Sequence, residues 1–194
     1  METVEVTRTY LELMNPGQLR ATIELEAPAR LERVGHCPAS FARYLYREVG
    51  SDYHWTDRAG WSDDRWRARL SEPGVSLLLL YVSGAPAGFC ELSATGDGST
   101  EIALFGLLPE FTGRGLGKAF LAASARHAFQ GGARRVWLHT CSLDDPAALP
   151  NYLARGFTKF REEGYLRSEE AESRKQERPG FRRQGSGFRN RLEG

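Results

Sequence analysis

The sequence predicts an α/β fold built on a central mixed, mostly antiparallel sheet. Three apolar runs separated by short polar turns indicate consecutive antiparallel strands, at 75–82, 86–94 and 101–108. A glycine-rich turn at 112–117 then leads into an amphipathic helix that ends at Gly131-Gly132. The next apolar run, 136–141, follows a helical crossover, so we expect it to lie parallel to the third strand.

The N-terminal residues are expected to form a β-hairpin. Alternating runs at 4–14 and 19–26 flank Asn15-Pro16-Gly17, which has the composition of a tight turn. The pattern therefore predicts an N-terminal β-hairpin extension over residues 1–30.

Helix signals flank the predicted sheet on both sides. Pro38 opens a helix that ends near residue 50, and Ser62 is placed to cap a second that ends near residue 70. After the strand at 136–141, Pro146 opens a further helix, in which Pro150 is expected to cause a kink or a restart. A last strand is predicted at 157–162.

Composition limits the class of protein. The chain has 194 residues, 41% of them hydrophobic, and a formal net charge of +1, which gives no electrostatic argument for nucleic acid or membrane. Three widely spaced cysteines and the lack of a signal-peptide pattern favour a cytoplasmic protein. Residues 168–194 are polar and basic, and we predict that they form a disordered tail. An RNA-binding tail is the alternative interpretation of these residues.

The turn at 112–117 has the features of a phosphate-binding site. Glycines that open a helix direct unpaired backbone N–H groups at one place, and the helix dipole favours negative charge there. Arg114 and Lys118 add positive charge. The spacing matches neither a Walker A loop, because Thr112 and Ala119 stand at required positions, nor the dinucleotide-binding glycine pattern.

The same turn resembles the coenzyme-A-binding motif of the GNAT acetyltransferase superfamily, Gln/Arg-x-x-Gly-x-Gly/Ala. The motif stands here as Thr112-Gly113-Arg114-Gly115-Leu116-Gly117, with Thr at its first position. The ending from Ala148 to Phe157 is similar to the family's Ala-x-x-x-Tyr-x-x-x-Gly-Phe. The resemblance covers roughly residues 30–165. It implies a GNAT fold, with helices on both faces of the sheet, in a domain that spans residues 31–167.

The resemblance also implies acetyl-CoA as co-substrate and no metal. Its implied coenzyme-binding residues are Phe105, Leu107, Leu108, Thr112, Gly113, Arg114, Gly115, Leu116, Gly117 and Lys118. Backbone N–H groups of the strand residues in this set are expected to polarise the thioester and to pair with the pantetheine arm.

Two residues are the implied catalytic groups. Tyr152 matches the family tyrosine that acts as general acid near the coenzyme sulfur, and Glu101 has the position of the catalytic glutamate of the histone acetyltransferases. Glu91 and His139 are second candidates for the base. Together with Tyr53 and Trp55, they are also candidates to line the acceptor pocket.

The sequence therefore predicts an acyl-CoA-dependent N-acetyltransferase that transfers acetyl directly to a primary amine in a ternary complex. The acceptor is expected to be a small molecule or a peptide, and a homodimer is allowed for. The alternative is a non-catalytic acyl-CoA-binding regulatory module.

Overall fold

The computed structural model describes residues 3–20, 24–51, 53 and 55–168. The strands are β1 (Thr3–Leu13), β2 (Ala29–Val34), β3 (Val75–Val82), β4 (Ala85–Ala94), β5 (Ser99–Leu107), β6 (Arg135–Cys141) and β7 (Thr158–Ser168). The helices are α1 (Ala39–Gly50), α2 (Asp63–Leu70), α3 (Leu116–Gln130) and α4 (Ala148–Ala154). In the described part of the chain, no helix is both long enough and apolar enough to cross a membrane.

All seven strands belong to one sheet, in the order β2-β3-β4-β5-β6-β1-β7. Neighbouring strands are antiparallel except β5 and β6, which are parallel. The helix α3 makes the crossover between these two strands, as the sequence predicts. The mixed, mostly antiparallel sheet is thus confirmed.

The predicted N-terminal hairpin is wrong. Strand β1 lies inside the sheet, antiparallel to both β6 and β7, and the described residues among 19–26 form no strand. Pro16–Gln18 form a 3-10 turn, after which the Arg20 N–H donates to the Arg155 carbonyl at 2.9 Å. Residues that follow the turn therefore contact the end of α4, and β1 takes its partners from the C-terminal half of the chain.

The two faces of the sheet carry separate helical layers. On β3, Leu78 and Leu80 pack into the core that holds α3 and α4, while Leu77 and Leu79 pack into the core that holds α1. This follows from the alternation of side chains along a strand. The structure thus has helices on both faces, as expected from the resemblance.

Strands β5 and β6 pair only at their beginnings, from Ser99 to Glu101 on β5. The pairing of β5 with β4 shifts register between Glu91 and Leu92, which leaves Ala103 as an extra residue on β5. An extra residue of this kind bends its strand and increases the local twist. Beyond Glu101 the two parallel strands therefore separate, and the sheet opens at their carboxyl ends.

The C-terminal elements differ in two details from the prediction. Helix α4 begins at Ala148, so Pro150 lies in its first turn, where an N–H has no intrahelical partner to lose. Neither a kink nor a restart is needed. The last strand, β7, continues to Ser168, beyond the predicted end at residue 162. The predicted tail lies outside the described residues apart from Ser168.

Candidate active site

A cleft of about 1100 Å³ opens where β5 and β6 separate. Its walls come from the carboxyl-terminal half of β5, the turn before α3, helix α4 and the loop around residues 53–58. Parallel strands that diverge leave backbone groups without a ladder partner, and those groups face the opening. Crevices at the carboxyl ends of strands are the usual ligand sites of open α/β sheets.

The glycine-rich turn presents the start of α3 to this cleft. Gly115 is the N-cap residue with φ of 77°, and Gly113 has φ of 72°, so both adopt the left-handed conformation that favours glycine. A Cβ added at either glycine would meet no atom within 4 Å. No side chain caps this helix end, and its first N–H groups have no intrahelical partners. The turn therefore offers N–H groups and open space to an anion.

The structure places most, but not all, of the predicted coenzyme contacts at this cleft. Those that line it are Phe105, Leu107, Thr112, Gly113, Gly115, Gly117 and Lys118. Leu108 packs into the core between the sheet and α1, and Leu116 packs against the core between the sheet and helices α3 and α4. The Arg114 guanidinium lies over the Phe111 ring, at 5.3 Å from its centroid.

Two residues that the sequence analysis missed also line the cleft, one in α4 and one directly after it. Asn151 Oδ1 and Arg155 Nε are buried and have no hydrogen-bond partner among the described residues. Buried polar atoms without partners are rare and often mark a ligand site. Both residues lie close to Tyr152 in the segment that resembles the family, and this position could have identified them from the sequence.

Glu101 and His139 meet at the point where β5 and β6 separate. His139 Nε2 lies 3.8 Å from Glu101 Oε1, which is too far for a hydrogen bond, and both side chains line the cleft. Burial raises the pKa of Glu101, and the nearby charge of Glu91 adds to the rise. Burial lowers the pKa of His139, and the positive charge of Arg8 lowers it further. His139 is therefore neutral at pH 7, and either group can accept a proton.

Tyr152 lines the cleft from α4 and is buried. Burial raises the pKa of its hydroxyl, and the carboxylates of Asp144 and Asp145 act in the same direction. No residue in the described part of the chain hydrogen-bonds this hydroxyl. The phenol therefore keeps its proton at neutral pH and has it available for a ligand.

Glu91 was a candidate to line the acceptor pocket, and this prediction is wrong, because Glu91 is not among the described residues that line the cleft. Its side chain is 1% exposed and accepts four hydrogen bonds, two from Arg58 at 2.6 and 3.0 Å and two from Arg69 at 2.9 and 2.8 Å. Arg58 also lies over the rings of Trp61 and Trp66. A carboxylate held by two guanidinium groups therefore joins the loop after α1, through Arg58, and α2, through Arg69, to β4.

The two aromatic candidates differ in environment, although both line the cleft. The Tyr53 hydroxyl donates to Asp145 Oδ2 at 3.0 Å, which connects the loop after α1 to the loop before α4. Trp55 packs against Tyr46 and Phe89, with ring centroids 5.4 and 6.1 Å away. Trp55 therefore contributes to the core as well as to the wall of the cleft.

The buried charge cluster predicts a large loss of stability on removal of its carboxylate. Glu91→Ala leaves two partly buried guanidinium groups without their partner, so we expect a loss of about 3–5 kcal/mol in the free energy of unfolding. Urea denaturation measures it. The exposed Glu110 is the control, and Glu110→Ala should change stability by no more than about 0.5 kcal/mol. Equal effects of the two substitutions would contradict the role assigned to Glu91.

The electrostatic link between Arg8 and His139 is testable without any substrate. Because the Arg8 charge lowers the pKa of His139, Arg8→Gln should raise that pKa relative to the parent protein. NMR titration of the His139 ring protons measures the shift. Arg30 does not line the cleft and is a matched control, since it also lies over a tyrosine ring. An unchanged His139 pKa in Arg8→Gln would show that the two groups are not coupled.

Comparison with known proteins gives two curated relatives, both named mycothiol acetyltransferase. The protein from Corynebacterium efficiens is 31% identical over 110 residues, covering 55% of this chain and 37% of the relative. The protein from Kineococcus radiotolerans is 35% identical over 106 residues, covering 53% of this chain and 34% of the relative. The chain thus spans about a third of the length of the curated relatives it matches.

A solved structure with a similar fold is a GCN5-related N-acetyltransferase from Kribbella flavida. It superimposes with a TM-score of 0.60 at 26% sequence identity, covering 84% of this chain and 58% of that one. The sequence model of the acetyltransferase (GNAT) family matches residues 42–157, which include the diverging strands, the glycine-rich turn and Tyr152. The chain belongs to the GNAT acetyltransferase family.

Proposed function

We propose that this chain is an acyl-CoA-dependent N-acetyltransferase that moves acetyl from acetyl-CoA to a primary amine by direct transfer. The observation that carries the proposal is that one cleft contains three functional elements. These are the open glycine-rich turn at the start of α3, a phenol that keeps its proton, and the Glu101–His139 pair. Family membership makes acetyl-CoA the expected donor.

The residues present fit the coenzyme. The helix start at Gly115 and the Lys118 ammonium would hold its pyrophosphate, because both favour negative charge. The unpaired backbone of β5 at Phe105 and Leu107 would pair with the pantetheine amides. Asn151 and Arg155 supply the buried polar atoms that lack partners. Bound there, acetyl-CoA supplies an activated acyl carbon on a thioester.

Removal of the proton from the amine falls to Glu101, with His139 as the neighbouring alternative. A raised pKa makes Glu101 a stronger base than an exposed carboxylate, and His139 is neutral and able to accept. Their separation of 3.8 Å lets one water or one amine contact both groups.

Tyr152 is the proposed general acid. Its hydroxyl stays protonated because of burial and the nearby carboxylates, and the departing thiolate is the group that requires a proton. In the balanced reaction the C–N bond forms, the C–S bond breaks, the base takes a proton from the amine and Tyr152 gives one to sulfur.

Direct transfer is supported by the state of the cysteine at the cleft. Cys141 lines it, and burial together with the charge of Asp144 raises the pKa of its thiol. A thiol with a raised pKa is a poor nucleophile at neutral pH. The raised pKa of this thiol therefore supports attack by the amine itself over an acyl-enzyme.

The identity of the acceptor does not follow from the curated relatives, because the match covers only about a third of their length. A module that binds acyl-CoA without turning it over is the alternative function. It would keep the glycine-rich turn but would not need the Glu101–His139 pair or the proton of Tyr152.

The coenzyme assignment predicts selective stabilisation. Acetyl-CoA at a hundredfold excess over its dissociation constant should add about 2.7 kcal/mol to the free energy of unfolding, and ATP or NAD should add far less. Thermal unfolding with each ligand measures this. Equal shifts with all three ligands would reject the assignment.

Gly115→Ala tests the turn itself. Alanine at a positive φ costs about 1–2 kcal/mol, and its methyl group would occupy the space proposed for the pyrophosphate. Gly84→Ala is a matched control, since Gly84 has φ of 86° and also faces open space, but outside the cleft. Both variants should lose similar stability, and only Gly115→Ala should lose acetyl-CoA binding in calorimetry.

The catalytic assignments predict two different pH–rate profiles. Tyr152→Phe should lower turnover by about 10²-fold or more with little change in coenzyme affinity, because only the proton donor is lost. Glu101→Gln should be most defective near neutral pH and recover in part as the pH rises, because the fraction of unprotonated amine grows.

The controls for these variants are Tyr44→Phe, at a tyrosine that does not line the cleft, and Glu110→Gln. Wild-type rates in both active-site variants across the pH range would remove both residues from the mechanism. Tight acetyl-CoA binding with no amine acetylated by the parent protein would favour the binding module.

A further inference from the structure

The part of the cleft beside His139 carries charges of both signs. Strand β1 brings Arg8 to this position, and the loop after α1 brings Asp57. Both act on His139, since Arg8 lowers its pKa and Asp57 raises it. A guanidinium and a carboxylate therefore lie close to the proposed site of proton transfer.

The neighbours of Arg8, which are Glu163, Tyr10 and Tyr165, satisfy its guanidinium only in part. Its Nε is buried and has no hydrogen-bond partner among the described residues. The carboxylate within reach belongs to Glu163, whose Oε1 lies 3.8 Å from Arg8 Nη1, beyond hydrogen-bond distance. Glu163 is already engaged, because it accepts from the Tyr10 hydroxyl at 2.5 Å and from Arg161.

The Arg8 guanidinium is also held in a defined orientation. It lies over the ring of Tyr165, at 5.0 Å from the centroid, and Tyr165 lines the same cleft. Stacking on a ring leaves the in-plane N–H groups of a guanidinium able to donate to an oxyanion. The unsatisfied Nε is one of these groups.

Asp57 supplies the negative charge at this end of the cleft. It is exposed, it lines the cleft, and no salt bridge joins it to another residue in the part of the chain that is described. Together with Glu101 it makes this end attractive to an ammonium group. The amine of an acceptor arrives mostly protonated, because its unperturbed pKa lies well above neutral pH.

We propose that the acceptor is a small zwitterion, in which one molecule carries the primary amine and an oxyanion group, either carboxylate or phosphate, that binds Arg8. The inference rests on the proposed acetyl transfer and specifies its substrate class. Arg8 orients the acceptor by its oxyanion, while the amine faces Asp57, Glu101 and His139.

The strand register limits the distance between the two groups of the acceptor. Arg8 pairs with Cys141 and Tyr10 pairs with His139, so Arg8 and His139 are diagonal neighbours on one face of the sheet. Diagonal neighbours lie about 7–8 Å apart at the backbone. An amine and an oxyanion separated by a few bonds can therefore contact both side chains.

The experiment compares matched acceptors with the 194-residue chain and acetyl-CoA, with thiol release as the measured signal. The carboxylate pairs are glycine, β-alanine and 4-aminobutyrate, each against its own amide. The phosphate pair is O-phosphoethanolamine against ethanolamine. We expect the best anionic acceptor to exceed its neutral partner by about tenfold or more in kcat/KM, the factor of one charge-assisted hydrogen bond.

Within the carboxylate pairs, the expected preference for the anionic acceptor is opposite to the order of intrinsic amine reactivity. The amide of an amino acid has a less basic amine than the free acid, so more of it is unprotonated at a given pH. A faster reaction of the free acid therefore reports recognition of its charge by the protein. The phosphate pair shows whether the larger oxyanion is accepted.

Arg8→Gln should reduce the preference for the anionic acceptor to about one, mainly through a higher KM. Arg8→Lys keeps the charge but loses the planar fork, so it should retain part of the preference. Arg30→Gln is the matched control and should keep the full ratio. Because the acceptor comparison on the parent protein needs no variant, a poorly folded Arg8→Gln would not prevent the test.

The outcomes separate the two proposals. If the parent protein acetylates the neutral and anionic acceptors equally, the zwitterion assignment is overturned while acetyl transfer stands. A preference that survives in Arg8→Gln also overturns it. If no amine releases thiol from acetyl-CoA, the failure belongs to the proposed function.

Discussion

The short pairing of β5 with β6 is the constraint on which the candidate site depends. Three residue pairs, from Ser99 to Glu101, hold the two parallel strands together, and the extra residue Ala103 then directs β5 away. Had the ladder continued, the backbone of Phe105 and Leu107 would be satisfied by β6. The separation instead leaves these groups facing the turn before α3, on the side where Tyr152 also lies.

A second requirement is that the loop after α1, which forms one wall of the cleft, is held in place. Helices α1 and α2 pack above β3, β4 and β5, as the α1-side core shows. Described residues of the loop after α1 line the cleft. Glu91 fixes this loop through Arg58, and the Tyr53–Asp145 hydrogen bond attaches it to the opposite wall. Buried charge thus positions this loop together with the packing of Trp55 against Tyr46 and Phe89.

The charges that line the cleft differ between its three regions. Near the glycine-rich turn the helix dipole and Lys118 favour an anion, as a pyrophosphate requires. At the junction of the strands, burial shifts the pKa values of Glu101 and His139 toward each other, which suits exchange of a proton. Beyond them Arg8 and Asp57 present both signs of charge, and the three regions are those that we propose for the donor, the reaction centre and the acceptor.

Local sequence determined much of the framework. The strands β3 to β6 and helix α3 follow from continuous apolar runs, a helical period and glycine punctuation, all of which act within a few residues. The glycine-rich turn and Tyr152 could be identified for the same reason, because each lies in a short motif.

Only the tertiary structure decided the partners of β1, because strand pairing depends on contacts with residues more than a hundred positions away. An N-terminal run that alternates can pair with a neighbour in sequence or with distant strands, and its pattern is the same in both cases. With β1 assigned to a hairpin, Arg8 could not be placed beside His139. The structural role of Glu91 could not be predicted from the sequence either. The arginines that donate to its carboxylate lie in a loop and a helix that contact β4 only in the folded protein.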